Sequence, residues 1–204
     1  YHFMSLKTRK EINDVYGMND SWLNIANEYY DYGKPDSSVF YYHKVIPFFQ
    51  SENNHYALGV AYNGLGVIYR NNKNYDQAIN YLQKSIDEHI QVGNKYKAAP
   101  SLISLSRVYH DLLDYDQEIQ LLLKAKNLSE ENSSLKLELK VWYLLAQANS
   151  LIGEYQLSNK YYLKHHIVSD SLYQVERDET IEQMKVSYET EKKEKALIEE
   201  QMKN

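Results

Sequence analysis

The sequence predicts an all-α fold, a right-handed solenoid of helical hairpins followed by a long charged helix. Three observations support this prediction. Hydrophobic residues recur with a period of 40 residues along most of the chain. The 204 residues include only 7 Gly and 3 Pro, fewer than the many turns of a strand-rich fold require. The composition is 43% hydrophobic and contains 21 Tyr, whose amphipathic rings suit seams between packed helices.

Each period carries the same sequence of packing residues. A bulky residue is followed three positions later by an apolar one and then by a small one, a spacing that marks one face of a helix. After a short polar turn the apolar spacing restarts, so each period predicts a helix–turn–helix hairpin. The matching columns are Trp22, Tyr62, Leu102 and Trp142; Ile25, Leu65, Leu105 and Leu145; Ala26, Gly66, Ser106 and Ala146; and, in the second helix, Tyr42, Leu82, Leu122 and Tyr162.

The second period gives the clearest family signal. Tyr62-x2-Leu65-Gly66-x2-Tyr69, followed by Tyr75-Asp76-Gln77-Ala78, resembles the tetratricopeptide repeat. The resemblance covers residues 15–168 and implies stacked hairpins whose first helices line a concave face. Ser38 and Glu118 stand where this repeat usually has alanine. We expect the charged Glu118 to splay the third hairpin.

The periodicity also predicts where each unit begins and ends. Residues 1–14 correspond to the second helix of a truncated preceding repeat, although residues 1–3 have the alternative interpretation of an expression-tag remnant. The period exceeds the common length of about 34 residues, and such longer repeats resemble those of bacterial signalling regulators. The predicted units are 1–14, four hairpins at 15–53, 54–93, 94–133 and 134–168, and a charged helix at 169–204.

The last segment differs from the repeats. Ser169-Asp170-Ser171 predicts a break with a helix N-cap, and the residues that follow favour helix as far as Asn204. Residues 170–184 are expected to cap the last hairpin, while the rest projects and offers a surface for homodimerisation. A heptad-like coiled-coil seam runs along it, with apolar members Ile181, Met184, Tyr188, Ile198 and Met202 and charged interruptions Glu191 and Lys195.

One stretch of this charged helix carries a second resemblance. Residues 184–195 are similar to a connector in bacterial tetratricopeptide sensor histidine kinases and related repeat-containing transcription regulators. In that group an extracytoplasmic repeat domain precedes the connector, which leads to a membrane span and an output domain. The resemblance therefore implies signal transduction in a two-component system and a periplasmic location, with a cytoplasmic location as the alternative. Membrane contact would come only through segments outside this sequence.

The sequence offers little for catalysis. The net charge of −5 gives no basic stripe for nucleic acid, and the absence of Cys removes thiolate chemistry. It contains no Gly-rich phosphate loop and no zinc-protease pair. His165 and His166 are adjacent and would point about 100° apart on a helix, which disfavours a shared metal. We therefore predict no enzyme activity, cofactor or metal for this chain, and any kinase domain would lie outside it.

The concave face is the predicted binding site for a protein or peptide. Side chains that the packing columns do not use point into it, and an ordinary solvated groove remains the alternative. Chaperone-binding repeats hold a carboxylate with Lys and Asn at set positions, of which only Asn27 is matched here. The function classes left open are a sensor, a cytoplasmic scaffold or peptide-responsive regulator, and a repeat protein that promotes dephosphorylation of a response regulator. The predicted groove residues are Leu23, Asn27, Tyr30, Asn63, Val67, Arg70, Ile103, Arg107, His110, Tyr143 and Gln147.

Overall fold

The structure, a computed structural model, describes residues 2–91, 93 and 95–201. Within these ranges the chain forms nine α-helices and one short 3₁₀ helix, and no strand. The α-helices are α1 (His2–Glu11), α2 (Val15–Asp31), α3 (Pro35–Ser51), α4 (His55–Asn71), α5 (Tyr75–Gln91), α6 (Ala99–Asp111), α7 (Tyr115–Glu131), α8 (Leu135–Leu151) and α9 (Tyr155–Gln201), and the 3₁₀ helix is Lys95–Ala98.

The helices pair into hairpins, and the hairpins stack. The pairs are α2 with α3, α4 with α5, α6 with α7 and α8 with α9, while α1 packs against α2. The first helices of neighbouring hairpins also contact one another, α2 with α4, α4 with α6 and α6 with α8. They therefore form one continuous inner layer, and the second helices form the outer layer. This arrangement confirms the predicted solenoid of tetratricopeptide-like hairpins.

The turns repeat with half the hairpin period. A residue with positive φ occurs every 20 residues, and only three of these residues are Gly, although Gly is the residue type that adopts this conformation most easily. At four turns the side chain of the next residue accepts a hydrogen bond from a backbone N–H group in the first turn of the following helix, at 2.8–3.4 Å. These residues are Asp14, Asn54, Asn74 and Asp114. The positive-φ residues are Asn13, Gly33, Asn53, Lys73, Gly93, Leu113, Ser133 and Gly153.

Small residues at the hairpin interior bring the two helices together. Leu82 packs against Gly66, where a β-carbon would overlap the Leu82 side chain. Where serine replaces the usual alanine, its hydroxyl is satisfied by the facing helix: Ser38 donates to the carbonyl of Ala26 at 2.7 Å, and Ser158 to that of Ala146 at 2.8 Å. Because these buried polar groups are paired, serine is tolerated at this position.

Glu118 is enclosed by the third hairpin. Its side chain is 1% exposed, and its carboxylate lies 2.9 Å from Nδ1 of His110 on the facing helix. Burial raises the pKa of the Glu118 carboxyl, and the hydrogen bond to His110 acts in the opposite direction. The hairpin therefore accommodates this residue by giving it a polar partner, rather than by exposing the carboxyl to solvent.

Helix α9 is continuous, so the predicted break at Ser169-Asp170-Ser171 is wrong. No Gly or Pro interrupts the segment, and its polar side chains find partners within the helix. Asp170 lies 3.1 Å from His166, and Ser171 donates to the carbonyl of Ile167 one turn earlier at 3.0 Å. These side chains therefore stabilise a continuing helix instead of capping a new one.

The sequence predicts that residues 170–184 cap the last hairpin, but the part of α9 that packs against that hairpin ends earlier. Val168 is buried and Leu172 is half-buried against the last hairpin, whereas every described side chain from residue 173 to 195 is exposed. Lys136 at the start of α8 approaches Glu176 to 3.6 Å. Beyond residue 176 the helix continues for 25 residues, about 37 Å at about 1.5 Å per residue. The predicted seam members Ile198 and Met202 lie outside the described side chains.

Candidate functional site

The inner layer of first helices carries the predicted groove residues, but two of them belong to the core. Leu23 is 6% exposed and Ile103 is 1% exposed, and each lies within a hydrophobic cluster. Each is followed by another hairpin in the stack, whereas the matching Tyr143 of the last hairpin is 42% exposed. Leu23 and Ile103 are therefore not available to a ligand, and we remove them from the proposed groove.

The middle of the groove is polar and changes character along the stack. The column five residues after the bulky position holds Asn27, Val67, Arg107 and Gln147, of which Arg107 is exposed and the others are half-buried. Asn27 accepts a hydrogen bond from the Tyr42 hydroxyl within the first hairpin. Gln147 donates to the Tyr143 hydroxyl at 3.0 Å. The amide of Asn27 is therefore engaged in structure, while Arg107 is exposed on the groove and its charge lowers the pKa of the nearby Glu118 carboxyl.

Polar bridges join neighbouring first helices at one edge of the groove. Asn71 donates to the Tyr30 hydroxyl at 3.0 Å, and the Arg70 guanidinium makes two hydrogen bonds to the Asp111 carboxylate at 2.7 and 3.0 Å. Both bridges connect residues 41 positions apart in the sequence. Tyr30 and Arg70 therefore link neighbouring hairpins. Their residue types alone did not predict this role, but the matching partners 41 positions later, Asn71 and Asp111, would have indicated it.

The bridges stop before the last hairpin. Leu151 occupies the position that matches Asn71 and Asp111, and it is 54% exposed. Arg107 makes no ion pair or hydrogen bond to any described side chain. Burial lowers the pKa of Lys140 on α8, and the nearby charge of Arg107 lowers it further. The part of the groove between α6 and α8 therefore holds two neighbouring cations and, among the described side chains, no polar bridge from one helix to the other.

Two further predicted groove residues differ in how well their polar atoms are paired. His110 contacts buried Glu118 through Nδ1, and its ring packs edge-on against Tyr115 at 5.8 Å between centroids. Asn63 is half-buried, and within the described part of the chain its Oδ1 is shielded from solvent without a hydrogen-bond donor. An unpaired buried acceptor costs about 1–3 kcal/mol. Asn63 is thus a polar residue that the packing alone does not explain.

The two adjacent histidines point to different neighbours. The His165 ring lies 5.6 Å from the Tyr143 ring, whereas His166 contacts Asp170. Across the described residues, no group of three or more His, Asp or Glu is arranged to hold a metal ion. None of the described helices combines the length and apolarity needed to cross a membrane.

Comparison with known proteins finds a family model that matches part of the chain. Residues 57–131 match the family model of the tetratricopeptide repeat. These residues span most of the second hairpin, where the resemblance in sequence is clearest, and the third hairpin. The match and the fold together support tetratricopeptide-type hairpins in this chain, a fold that suggests protein–protein interaction. No curated protein sequence matches the chain.

Solved structures share this fold over most of the chain. The apo form of RapI superimposes with a TM-score of 0.75 at 16% identity, over 85% of this chain and 63% of that one. BtubC from P. vanneervenii gives a TM-score of 0.69 at 12% identity, over 77% of this chain and 65% of that one. The MamA protein gives 0.58 at 16% identity, over 85% of this chain and 92% of that one. The chain thus spans less than two thirds of the length of the first two.

Proposed function

We propose that this chain is the protein- or peptide-binding region of a signal-transduction protein, with its ligand in the concave groove between α6 and α8. The observation that carries this proposal is the unpaired Arg107 beside Lys140, in the part of the groove where the polar bridges between hairpins are absent. Arg107 also acts on the buried Glu118 carboxyl, but neither cation forms an ion pair with an acid among the described residues, and an acidic ligand segment would relieve the repulsion between the two. The exposed ring of Tyr143 adds an apolar contact surface beside them.

A selection experiment tests the groove. Peptides chosen from a random display library on the immobilised chain would be titrated against two charge-removing variants. Arg107→Ala removes a groove cation, and Lys124→Ala removes an exposed cation from α7 in the outer layer. We expect Arg107→Ala to weaken binding at least about tenfold, equivalent to about 1.4 kcal/mol, and Lys124→Ala to change it less than about twofold. Peptides that bind both variants equally would contradict the groove assignment.

We further propose that occupancy of the groove is relayed through α9. Helix α8 lines the groove on one side and packs against α9 on the other, so a change in the position of α8 would redirect the projecting helix. Such a relay requires that the ligand bind two arrangements of the stack with different affinities. Solution scattering of the chain with and without the selected peptide would show a change of shape. Identical profiles would leave the scaffold without relay, the alternative function, as the better account.

A further inference from the structure

Helix α9 carries an exposed apolar seam longer than the sequence indicated. Counting from Ile181 toward the N-terminus in alternating steps of four and three residues extends the seam. It then includes Ile167 and Leu163, which lie on the half of α9 that packs against the stack. Leu163 and Ile167 are 60% and 59% exposed, and Met184 and Tyr188 are 66% and 69% exposed. The seam therefore consists of two apolar clusters, one on the stack and one on the projecting half.

The seam lies on the side of α9 that faces away from α8. Val168 and Leu172 occupy the opposite side, where they are buried and half-buried against the last hairpin. Because this packing leaves the seam open over its whole described length, a second helix could cover it without displacing any contact of the solenoid. Between the two apolar clusters the seam positions are polar: Asp170, Gln174 and Arg177.

We propose that this seam pairs with the same seam of a second copy in antiparallel orientation, forming a homodimer. One register places the apolar cluster on the stack of each copy against the projecting cluster of the other. In this register Leu163 faces Tyr188 of the second copy and Ile167 faces Met184. The two-fold axis repeats each contact, so four of the five exposed apolar seam residues of each copy meet an apolar partner. The fifth, Ile181, faces Asp170.

Charge complementarity selects the antiparallel arrangement. In a parallel pair in register, Asp170, Arg177, Glu191 and Lys195 would each face its own counterpart, which places like charges together at four layers. In the antiparallel register, Lys160 faces Glu191, so that opposite charges meet.

The remaining seam positions of the antiparallel register are also compatible. Gln174 faces Arg177, and Asp170 faces Ile181 with its carboxylate already held by His166. Lys164 and Lys185 lie at the solvent edge, where repulsion between like charges is screened by salt.

The dimer does not depend on the groove ligand, because the seam and the groove lie on different surfaces. The orientation of the two α9 helices does bear on whether the protein could be linked to a membrane. Two copies linked to one membrane through their last helices would leave the dimer in the same direction, which requires a parallel pair. The antiparallel pair sends the two α9 ends in opposite directions and therefore suits the regulator without a membrane link.

Disulfide cross-linking tests the orientation directly, because the chain has no Cys of its own. Ile167→Cys and Met184→Cys would be prepared as two separate single variants and oxidised alone and as a mixture. We expect cross-linked dimers in the mixture and little in either variant alone. In the antiparallel register each engineered residue lies about 25 Å along the axis from its own counterpart, at about 1.5 Å per residue. Efficient cross-linking of Met184→Cys alone shows a parallel pair, and no cross-linking in any sample shows a monomer. Either result overturns the proposal.

Sedimentation of the otherwise unmodified full chain provides a second readout. Met184→Glu should weaken the dimer at least about tenfold, whereas Val186→Glu, which changes an equally exposed apolar residue off the seam, should not.

Charge exchange then tests the register. Lys160→Glu or Glu191→Lys alone should weaken the dimer severalfold, and the double variant should restore it. In a parallel pair these residues lie about 46 Å apart, so absence of rescue contradicts the antiparallel register. Circular dichroism establishes that each variant keeps its helices.

Discussion

At the scale of single residues, the turns place non-glycine residues at positive φ, which costs conformational free energy. Leu113 adopts φ of 62°, a conformation that costs a non-glycine residue about 1–2 kcal/mol. Its side chain is 71% exposed, so it gains little from packing in return. We therefore expect Leu113→Gly to raise the free energy of unfolding by about 1 kcal/mol in urea titrations.

The neighbouring residue is the matched control for this substitution. Leu112 has an ordinary φ of −82°, so Leu112→Gly should lower the free energy of unfolding through the added flexibility of the unfolded chain. If Leu113→Gly destabilised the protein as much as Leu112→Gly, the positive φ at Leu113 would not be the source of a cost.

A buried histidine gives the second prediction at this scale. His89 is 3% exposed, and its Nδ1 has no hydrogen-bond partner among the described residues. Burial lowers the pKa of His89, and the nearby charge of Lys97 lowers it further. The unfolded chain therefore binds a proton near pH 6.5 that the folded chain does not bind until the pH is lower. Stability contributed by the neutral form is thus present above pH 6.5 and is lost as the pH falls below it.

Removing the titrating group should remove this pH dependence. We expect the melting temperature of the original sequence to fall more steeply between pH 6.5 and 5 than that of His89→Leu, measured by circular dichroism in matched buffers. The comparison is between slopes, so a change in overall stability caused by the substitution does not affect it. Equal slopes for the two proteins would contradict a neutral buried His89.

At the scale of elements, the bridge between the second and third hairpins is the strongest polar link along the groove. Arg70 and Asp111 are joined by two hydrogen bonds, with side chains 19% and 25% exposed. We expect a double-mutant cycle with Arg70→Ala and Asp111→Ala to give a coupling of about 1 kcal/mol. The pair Lys126 and Glu130, which lies on one helix, should give at most about 0.5 kcal/mol. Equal coupling for both pairs would contradict a bridging role.

The projecting half of α9 should contribute little to the solenoid itself. Deleting residues 177–204 removes exposed side chains and no described contact with the first eight helices. We expect the melting temperature, measured at a concentration where the chain is monomeric, to change by less than about 3 °C, since the deletion removes little buried area. A large loss would mean that the tail packs against the stack in solution.

The packing columns made most elements predictable, because a bulky, an apolar and a small residue at fixed spacing are enough to define a hairpin face. The same columns could not show that Leu23 and Ile103 are covered by the following hairpin while Tyr143 is not, since coverage depends on stacking between hairpins. The turn at Leu113 carries no residue signal for a positive φ. The continuity of α9 was missed because serine and aspartate favour caps in isolation yet bond within a helix here.

At the scale of the whole molecule, the groove and the projecting helix are connected through a single element. Helix α8 contributes Lys140 and Tyr143 to the groove and packs along the first half of α9. In a solenoid each unit contacts only its neighbours, so an effect at α8 passes to α9 without involving the distant hairpins. The last hairpin is therefore where ligand binding and output would meet.

Hydrogen exchange of the full chain with and without a peptide selected on it tests the central claim most directly, that the groove between α6 and α8 binds a ligand and is coupled to α9. We predict slower amide exchange in residues 99–111 and 135–151 when the peptide is bound. We also predict a change in exchange in residues 155–172, which pack against α8. Protection confined to the outer helices α3, α5 and α7, with residues 155–172 unchanged, would contradict the account.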